Sequence, residues 1–138
     1  MALVDTLDYF PEKHSGRARL LFYLQSLADA VIASQDQTYG GWYNVMTPGT
    51  ESQSGNYIES SGSAMFVYSL FKSLRLGYLS GEQYENTATS GWELMTSDFA
   101  RERLDGALAW EWTVQVGSLS SNGTFEVCVF DKGYMYVC

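Results

Sequence analysis

Residues 55–76, a polar segment that leads directly into an apolar helical run, constrain the fold of this chain most strongly. From residue 64 onwards the run carries large apolar side chains at helical spacing. Gly77 follows it, where a residue without a Cβ atom can end a helix in the left-handed conformation. Three hydroxyl residues stand before the run: Ser60, Ser61 and Ser63. We therefore predict a helix over residues 60–76 whose free N–H groups are capped by one of these hydroxyls.

The N-terminal end of this predicted helix has a second interpretation, as part of a binding site. Exposed N–H groups and the helix dipole attract anions, so polar residues at a helix N-terminus are common components of such sites. The sequence alone leaves both roles open, capping and binding.

Three further helical patterns surround this segment. Residues 2–10 have apolar side chains at helical spacing, and Pro11 ends the pattern because the residue before a proline avoids the helical conformation. Residues 17–36 carry a broad apolar stripe, and residues 81–99 carry a looser one. Helix follows helix through loops, which is typical of an all-α layered fold.

Two segments near the C-terminus have the alternating pattern of β-strands. They are residues 110–116 and residues 124–130. The predicted fold class is therefore all-α with a short β-like C-terminal segment.

The long loop over residues 37–57 contains two large aromatic residues, Trp42 and Tyr43. Large aromatic side chains in an irregular segment either pack the loop onto the core or present a stacking surface to a ligand such as a sugar ring. The two interpretations are equally well supported by the sequence.

The composition excludes several classes of protein. Hydrophobic residues make up 46% of the chain, which argues against disorder. The net charge of −8 opposes binding to nucleic acid, and an anionic uronate would need a local basic contact to overcome the same repulsion. No apolar run is long enough to cross a membrane.

No motif for a cofactor or a metal is present. The chain has neither a glycine-rich phosphate loop nor a cluster of cysteine and histidine residues. Cys128 and Cys138 lack metal-ligand spacing, and we interpret the single histidine, His14, as a solvated loop residue.

Three ordered blocks of sequence resemble glycoside hydrolase family 105, the unsaturated rhamnogalacturonyl hydrolases. They are Ala2–Pro11 followed by Gly16 and Arg17, then Gly40–Met46, then Gly55–Phe66 with its continuation to Leu79. The resemblance extends over residues 2–98 and continues weakly over residues 110–126.

The resemblance implies a partial (α/α)6 toroid of helical hairpins. The family toroid has six hairpins, whereas the patterns here account for about four helices, as in a piece from the later half of the toroid. We therefore expect an incomplete glycosidase-like domain over residues 1–126 and an atypical tail over residues 127–138. On this interpretation Met1 is an internal methionine used as a start, and a retained intron encodes the residues after Glu126.

The chemistry implied by the resemblance is hydration of the double bond of a 4,5-unsaturated galacturonyl residue. In the family an aspartate donates a proton to the sugar alkene and activates water, which requires a carboxyl group with a suitably placed pKa. No residue of this chain matches that aspartate. Asp5 and Asp8 belong to a helix that in the family follows the segment with the catalytic aspartate, so we do not expect either of them to act as the acid and base.

The resemblance implies that this chain supplies part of the wall of the substrate cleft. We predict four cleft-lining residues that contact an oligosaccharide: Trp42, Tyr43, Glu59 and Ser60. A partial toroid also leaves inner-helix faces exposed, so self-association through those faces is a second expectation.

Two other functions compete with that of a glycoside hydrolase fragment. The chain is alternatively a non-catalytic helical module that binds a partner or a sugar, or a different all-α toroid enzyme. A soluble monomer favours the module, whereas an aggregating chain favours the fragment.

Overall fold

Four α-helices are the main secondary structure of residues 1–114, the part of the chain that the structure, a computed structural model, describes. They are α1 (Ala2–Tyr9), α2 (Arg17–Ala33), α3 (Ser60–Arg75) and α4 (Glu82–Leu94). A π-helical turn, Met95–Phe99, follows α4 directly. The strands β1 (Ala100–Glu102) and β2 (Leu108–Trp110) then form an antiparallel hairpin.

The predicted fold class, all-α with a short β segment after the helices, is confirmed in these residues. The predicted strand over residues 124–130, the tail from residue 127, and both cysteines lie outside the described residues.

The end of α1 follows from its sequence, as predicted. Phe10, the residue before Pro11, has extended backbone angles (φ −85°, ψ 121°). The guanidinium of Arg17 donates hydrogen bonds to the carbonyl oxygens of Leu7 at 3.0 Å and Phe10 at 2.7 Å. The first residue of α2 therefore satisfies carbonyl groups that the end of α1 leaves free.

The main core lies between α2, α3 and α4. It contains the indole ring of Trp42, Leu79 from the connection between α3 and α4, and buried residues of all three helices: Ala28, Val67, Leu70, Tyr84, Ala88 and Leu94. A second, smaller cluster joins α1 to α2: Val4, Leu7 and Leu24. The loop after α2 is thus fixed to the helices through its tryptophan.

The helices α3 and α4 form a close-packed hairpin. Gly77 has φ +69° and ends α3 as predicted, because a residue without Cβ adopts the left-handed conformation without strain. On α4, Gly91 faces α3 so closely that a Cβ atom there would lie 2.5 Å from Cγ2 of Val67. The absence of a side chain at Gly91 therefore sets how closely the two helices approach.

Two predicted helix boundaries differ from the structure, and in both cases polar side chains bond the backbone. The helix predicted over residues 17–36 ends at Ala33, and Asp36 then forms a turn in which its carboxylate accepts the N–H groups of Thr38 (2.9 Å) and Tyr39 (2.8 Å). The helix predicted over residues 81–99 widens into the π-turn after Leu94. There the hydroxyl of Thr96 donates to carbonyl groups of the last α4 turn, in competition with backbone N–H groups.

Of the strand predicted over residues 110–116, residues 115–116 lie outside the described residues. Within them, the strand is at Leu108–Trp110 and pairs with a strand at Ala100–Glu102 that the sequence pattern did not predict. The described helices include none of the length and apolar character that a membrane span requires.

Candidate functional site: an aromatic cleft beside the N-terminus of α3

A cleft of about 590 Å³ opens between the loop over residues 51–58, the π-turn and the β-hairpin. Its aromatic lining consists of Tyr39, Tyr43, Tyr57, Phe99 and Trp112. Its charged lining, within the described residues, consists of Glu51, Asp98 and Arg101. The volume lies within the range of small-molecule sites, roughly 300–1,000 Å³.

The loop that forms one side of the cleft is held together by Asn56. Its amide nitrogen donates to the carbonyl oxygens of Val45 and Thr50, both at 3.0 Å, and its amide oxygen accepts the Val45 N–H at 3.1 Å. An antiparallel bridge between Tyr43 and Ile58 closes the base of the loop. These bonds give a loop without regular secondary structure a defined shape.

The opposite side of the cleft comes from the π-turn and the segment that follows the β-hairpin. The π-turn carries Asp98 and the buried Phe99, whose ring contacts Trp110 of β2 edge-on, with ring centroids 6.0 Å apart. π-helical turns are rare and occur frequently at functional sites. Here the turn places an acidic side chain and an aromatic one in the wall of the cleft.

Trp112 is the most unusual residue of the cleft. It has φ +64°, which makes it the one residue other than glycine with a positive φ among residues 1–114. Such a conformation costs of order 1–3 kcal/mol for a residue with a Cβ atom and persists only where surrounding contacts impose it. Trp112 is 42% exposed, and its indole ring lies beside the ring of Tyr57, with centroids 6.3 Å apart.

Glu59 supplies contacts that fix the backbone around Trp112. Glu59 is 7% exposed, and its carboxylate caps α3 by accepting N–H bonds from Ser61 at 3.1 Å and Gly62 at 2.6 Å. The same carboxylate accepts bonds from the Thr113 hydroxyl and the Val114 N–H, both at 3.2 Å. One buried carboxylate therefore joins the start of α3 to the segment that follows Trp112.

The cap of α3 corrects one sequence prediction. The residue that caps the helix is Glu59, not one of the three serines. Ser60 and Ser61 already lie in the first turn of α3, and the Ser63 hydroxyl donates to the Glu59 carbonyl oxygen at 2.7 Å. A glutamate is rare at this position, because the shorter side chains of Ser, Thr, Asp and Asn reach the N–H groups more readily.

Of the two neighbouring aromatic residues in the loop, Tyr43 lines the cleft and Trp42 does not. Trp42 is 1% exposed, its Nε1 donates to the Val31 carbonyl oxygen at 2.7 Å, and its ring packs edge-on against Phe66. Neighbouring side chains of an extended backbone point to opposite sides, and the bridge at Tyr43 imposes that geometry. Trp42 thus takes the core-packing role that the sequence left open.

Tyr43 has a phenol group whose pKa is raised, first by burial and then by the negative charge of Asp36. Its hydroxyl is therefore a hydrogen-bond donor over the whole neutral range. Its contact with an oligosaccharide stays a prediction.

The other two predicted residues lie behind the cleft. Glu59 is fully engaged by the hydrogen bonds described above. Ser60 has no exposed surface; its N–H donates to the Trp112 carbonyl oxygen at 2.9 Å, and its hydroxyl has no hydrogen-bond partner among the described residues. Both residues hold the cleft wall from behind, which a reading of sequence spacing does not distinguish from lining the cleft.

Arg101, on β1, carries the one positive charge among the described lining residues of the cleft. Its guanidinium lies 3.9 Å from a carboxylate oxygen of Asp98 and 3.9 Å from one of Glu111. Its Nε also donates to the Asp98 carbonyl oxygen at 3.1 Å. The charge of Arg101 is therefore balanced within the protein.

No sequence pattern predicted Arg101, Tyr57 or Trp112 as site residues. The segment over residues 110–112 has two tryptophans around a glutamate, which suggested a strand. A tryptophan just beyond the last paired residue of a hairpin is the one sequence signal that could have identified Trp112. Arg101 and Tyr57 have no local signal, because folding alone brings them together.

The cleft offers both stacking faces and hydrogen-bonding groups to a polar ligand. Aromatic rings are offered beside carboxylates and one guanidinium, and Tyr residues present both a flat apolar face and a hydroxyl. Among residues 1–114, no three or more His, Cys, Asp or Glu side chains are placed to hold a metal ion.

This architecture is similar to that of known glycoside hydrolases. The sequence profile of Glycosyl Hydrolase Family 88 matches residues 1–127. A family 105 glycoside hydrolase of C. acetobutylicum ATCC 824 has a similar structure, with a TM-score of 0.84 and 34% sequence identity over 94% of this chain and 36% of that one. A family 88 glycosyl hydrolase from Bacteroides vulgatus shares the fold, with a TM-score of 0.71 at 21% identity over 85% of this chain and 31% of that one.

A curated relative, the 24.9 kDa protein in picA locus of Rhizobium radiobacter, is 40% identical over 91 residues, which are 66% of this chain. This chain spans 37% of the length of that relative. The helical architecture matches that of the structures compared, and the resemblance to family 105 is confirmed. The chain therefore belongs to Glycosyl Hydrolase Family 88, and its helical architecture matches part of a family 105 glycoside hydrolase.

Proposed function

We propose that this chain forms part of the oligosaccharide-binding surface of a glycoside hydrolase. The hydrolase hydrates the 4,5-unsaturated galacturonyl residue of rhamnogalacturonan oligosaccharides, and the aromatic cleft beside α3 contacts the oligosaccharide. Family membership supports the general class, and the substrate is the one that the family 105 resemblance implies.

The observation that carries the proposal is the composition of the cleft. Three tyrosines, a phenylalanine and a tryptophan surround a space of about 590 Å³, and Trp112 is held there in a strained backbone conformation. Sugar rings present C–H faces to aromatic rings and hydroxyl groups to polar side chains, so a cleft of this kind suits them. Strain at one wall residue is typical of functional positions.

The chain is proposed to bind without catalysing hydration by itself. Hydration requires a carboxyl group that donates a proton to the alkene and activates water. Asp5 and Asp8, which lie within the first resembling block, both form ion pairs with Lys72, at 2.7 Å and 2.6 Å, and neither lines the cleft. Their role is thus to join α1 to α3, and the catalytic carboxylate is expected to come from outside these residues.

The test uses the 138-residue chain and an unsaturated rhamnogalacturonyl disaccharide. Binding is measured by NMR titration, and hydration by the loss of ultraviolet absorbance of the alkene. We expect binding that Tyr43→Ala weakens and Tyr9→Ala, a change at a 90% exposed position outside the cleft, leaves unchanged. Absence of binding refutes the proposal, and turnover by the chain alone refutes the assignment of the carboxylate to other residues.

A second candidate, a non-catalytic helical module, has one observation in its favour. Large apolar side chains on α2 are exposed: Phe22 at 65%, Tyr23 at 50% and Leu27 at 52%. Such a patch is typical of a surface that binds a protein partner. Sedimentation velocity separates the candidates, since a stable monomer that binds no disaccharide favours the module.

A further inference from the structure

The charges around the aromatic cleft decide which part of an oligosaccharide it can accept. Within the described lining, two carboxylates, Glu51 and Asp98, oppose one guanidinium, Arg101. A third carboxylate, Glu111, lies 3.9 Å from the same guanidinium. A carboxylate that entered the cleft would meet an excess of negative charge in a chain of net charge −8.

Arg101 already uses its Nε, one of the two atoms of a side-on, two-point contact with a carboxylate, within the protein. Its Nε already donates to the Asp98 carbonyl oxygen at 3.1 Å, and its NH2 group faces the Asp98 carboxylate at 3.9 Å. A bound uronate would therefore have to compete with Asp98 for the guanidinium.

The remaining lining suits a neutral ring. The rings of Trp112 and Tyr57 lie side by side, with centroids 6.3 Å apart and planes inclined by 46°, and Trp112 is 42% exposed. Exposed carboxylates at Glu51 and Asp98 are acceptors for sugar hydroxyl groups. Aromatic surface beside hydrogen-bond acceptors provides the contacts that a neutral pyranose can use without an opposing charge.

We propose that the aromatic cleft is a subsite for a neutral pyranose unit and discriminates against the uronate. This inference rests on the proposed function in that the neutral unit belongs to the same oligosaccharide. Trp112 is its stacking residue, and the carboxylates of the cleft both accept hydroxyl hydrogen bonds and repel a uronate carboxylate.

The experiment compares two probes that differ at one carbon, methyl galactopyranoside and methyl galacturonopyranoside. Both are titrated by NMR into the 138-residue chain at low and high salt, and the unsaturated disaccharide is titrated in parallel. The variants are Trp112→Ala with the exposed Trp92→Ala on α4 as its matched control, and Arg101→Gln with the exposed Arg103→Gln as its control.

We expect the neutral probe to bind more tightly than the anionic one, and the difference to shrink as salt screens the repulsion. Trp112→Ala is expected to weaken binding of the neutral probe by about tenfold, the upper range for an aromatic contact. Arg101→Gln is expected to change the affinity for the neutral probe by less than about twofold, since the charge of the guanidinium is balanced by carboxylates. The two control variants should leave both probes unchanged.

Tighter binding of the anionic probe, lost on Arg101→Gln, overturns the subsite assignment. Binding of the disaccharide without any binding of the neutral probe also overturns it, and leaves the proposed function intact. Binding of the neutral probe without binding of the disaccharide supports the subsite and refutes the proposed function. If no sugar binds, both proposals fail.

Discussion

The carboxylate of Glu59 is the buried group on which both α3 and the wall of the cleft depend. It accepts five hydrogen bonds from two segments of sequence, residues 61–62 and residues 113–114: the donors are the N–H groups of Ser61, Gly62 and Val114 and the hydroxyls of Ser61 and Thr113. Its replacement by alanine removes the helix cap and leaves backbone donors without partners. The effect on stability can therefore be estimated bond by bond.

Loss of a helix cap costs about 1 kcal/mol. The bonds from Thr113 and Val114 hold a more distant segment, and bonds to a charged acceptor contribute about 1.5 kcal/mol each. We expect Glu59→Ala to lower the free energy of unfolding by about 3–4 kcal/mol. Glu59→Gln retains one acceptor oxygen, so it should lower the free energy of unfolding by only about 1–2 kcal/mol.

The assay is urea denaturation followed by circular dichroism, with the free energy taken from linear extrapolation. The matched control is Glu93→Ala on α4, an exposed glutamate for which we expect a change within about 0.5 kcal/mol. The indole N–H resonance of Trp112 should shift in Glu59→Ala and stay in place in Glu93→Ala. If Glu59→Ala costs no more than Glu93→Ala, the carboxylate does not organise this region and the reasoning is refuted.

Three further predictions concern helix packing, pH and association. Gly91→Ala should lower the free energy of unfolding by about 1–2 kcal/mol in urea denaturation, because its Cβ would lie 2.5 Å from Cγ2 of Val67 and overpacking outweighs the gain in helix propensity. Lys72 holds the pKa of Asp5 below its ordinary value of 3.8, so this contribution to stability is present above that pH and lost as the pH falls further. In Lys72→Met, the urea midpoint should therefore fall less steeply than in the unchanged chain as the pH is lowered through the acid range. Phe22→Lys, at a position 65% exposed, should reduce self-association in sedimentation velocity and leave the urea midpoint unchanged.

Each of these has a result that would contradict it. An unchanged or higher stability of Gly91→Ala would mean that α3 and α4 can separate without cost. An identical acid limb in Lys72→Met would mean that the Asp5 ion pair at 2.7 Å does not persist in solution. A monomeric chain whose sedimentation is insensitive to Phe22→Lys would rule out this face of α2 as an association surface.

The sequence alone was sufficient for the helices whose boundaries have local causes. Pro11 ends α1 because the residue before proline cannot be helical, and Gly77 ends α3 because it alone adopts the left-handed angle without strain. The all-α class followed from hydrophobic periodicity, which records which face of each helix is buried. These features depend on neighbouring residues, so a pattern in the sequence carries them.

The tertiary structure decided which side chains reach the cleft. Trp42 and Tyr43 are neighbours in sequence, yet the bridge to Ile58 directs one to the core and the other to the cleft. Glu59 became a cap because residues 113–114 supply donors to the same carboxylate from more than fifty positions away. Contacts between distant segments determine such roles, and no local periodicity encodes them. The sequence by itself therefore determined the helices and the family, and the long-range hydrogen bonds and ring contacts of the folded chain determined the site.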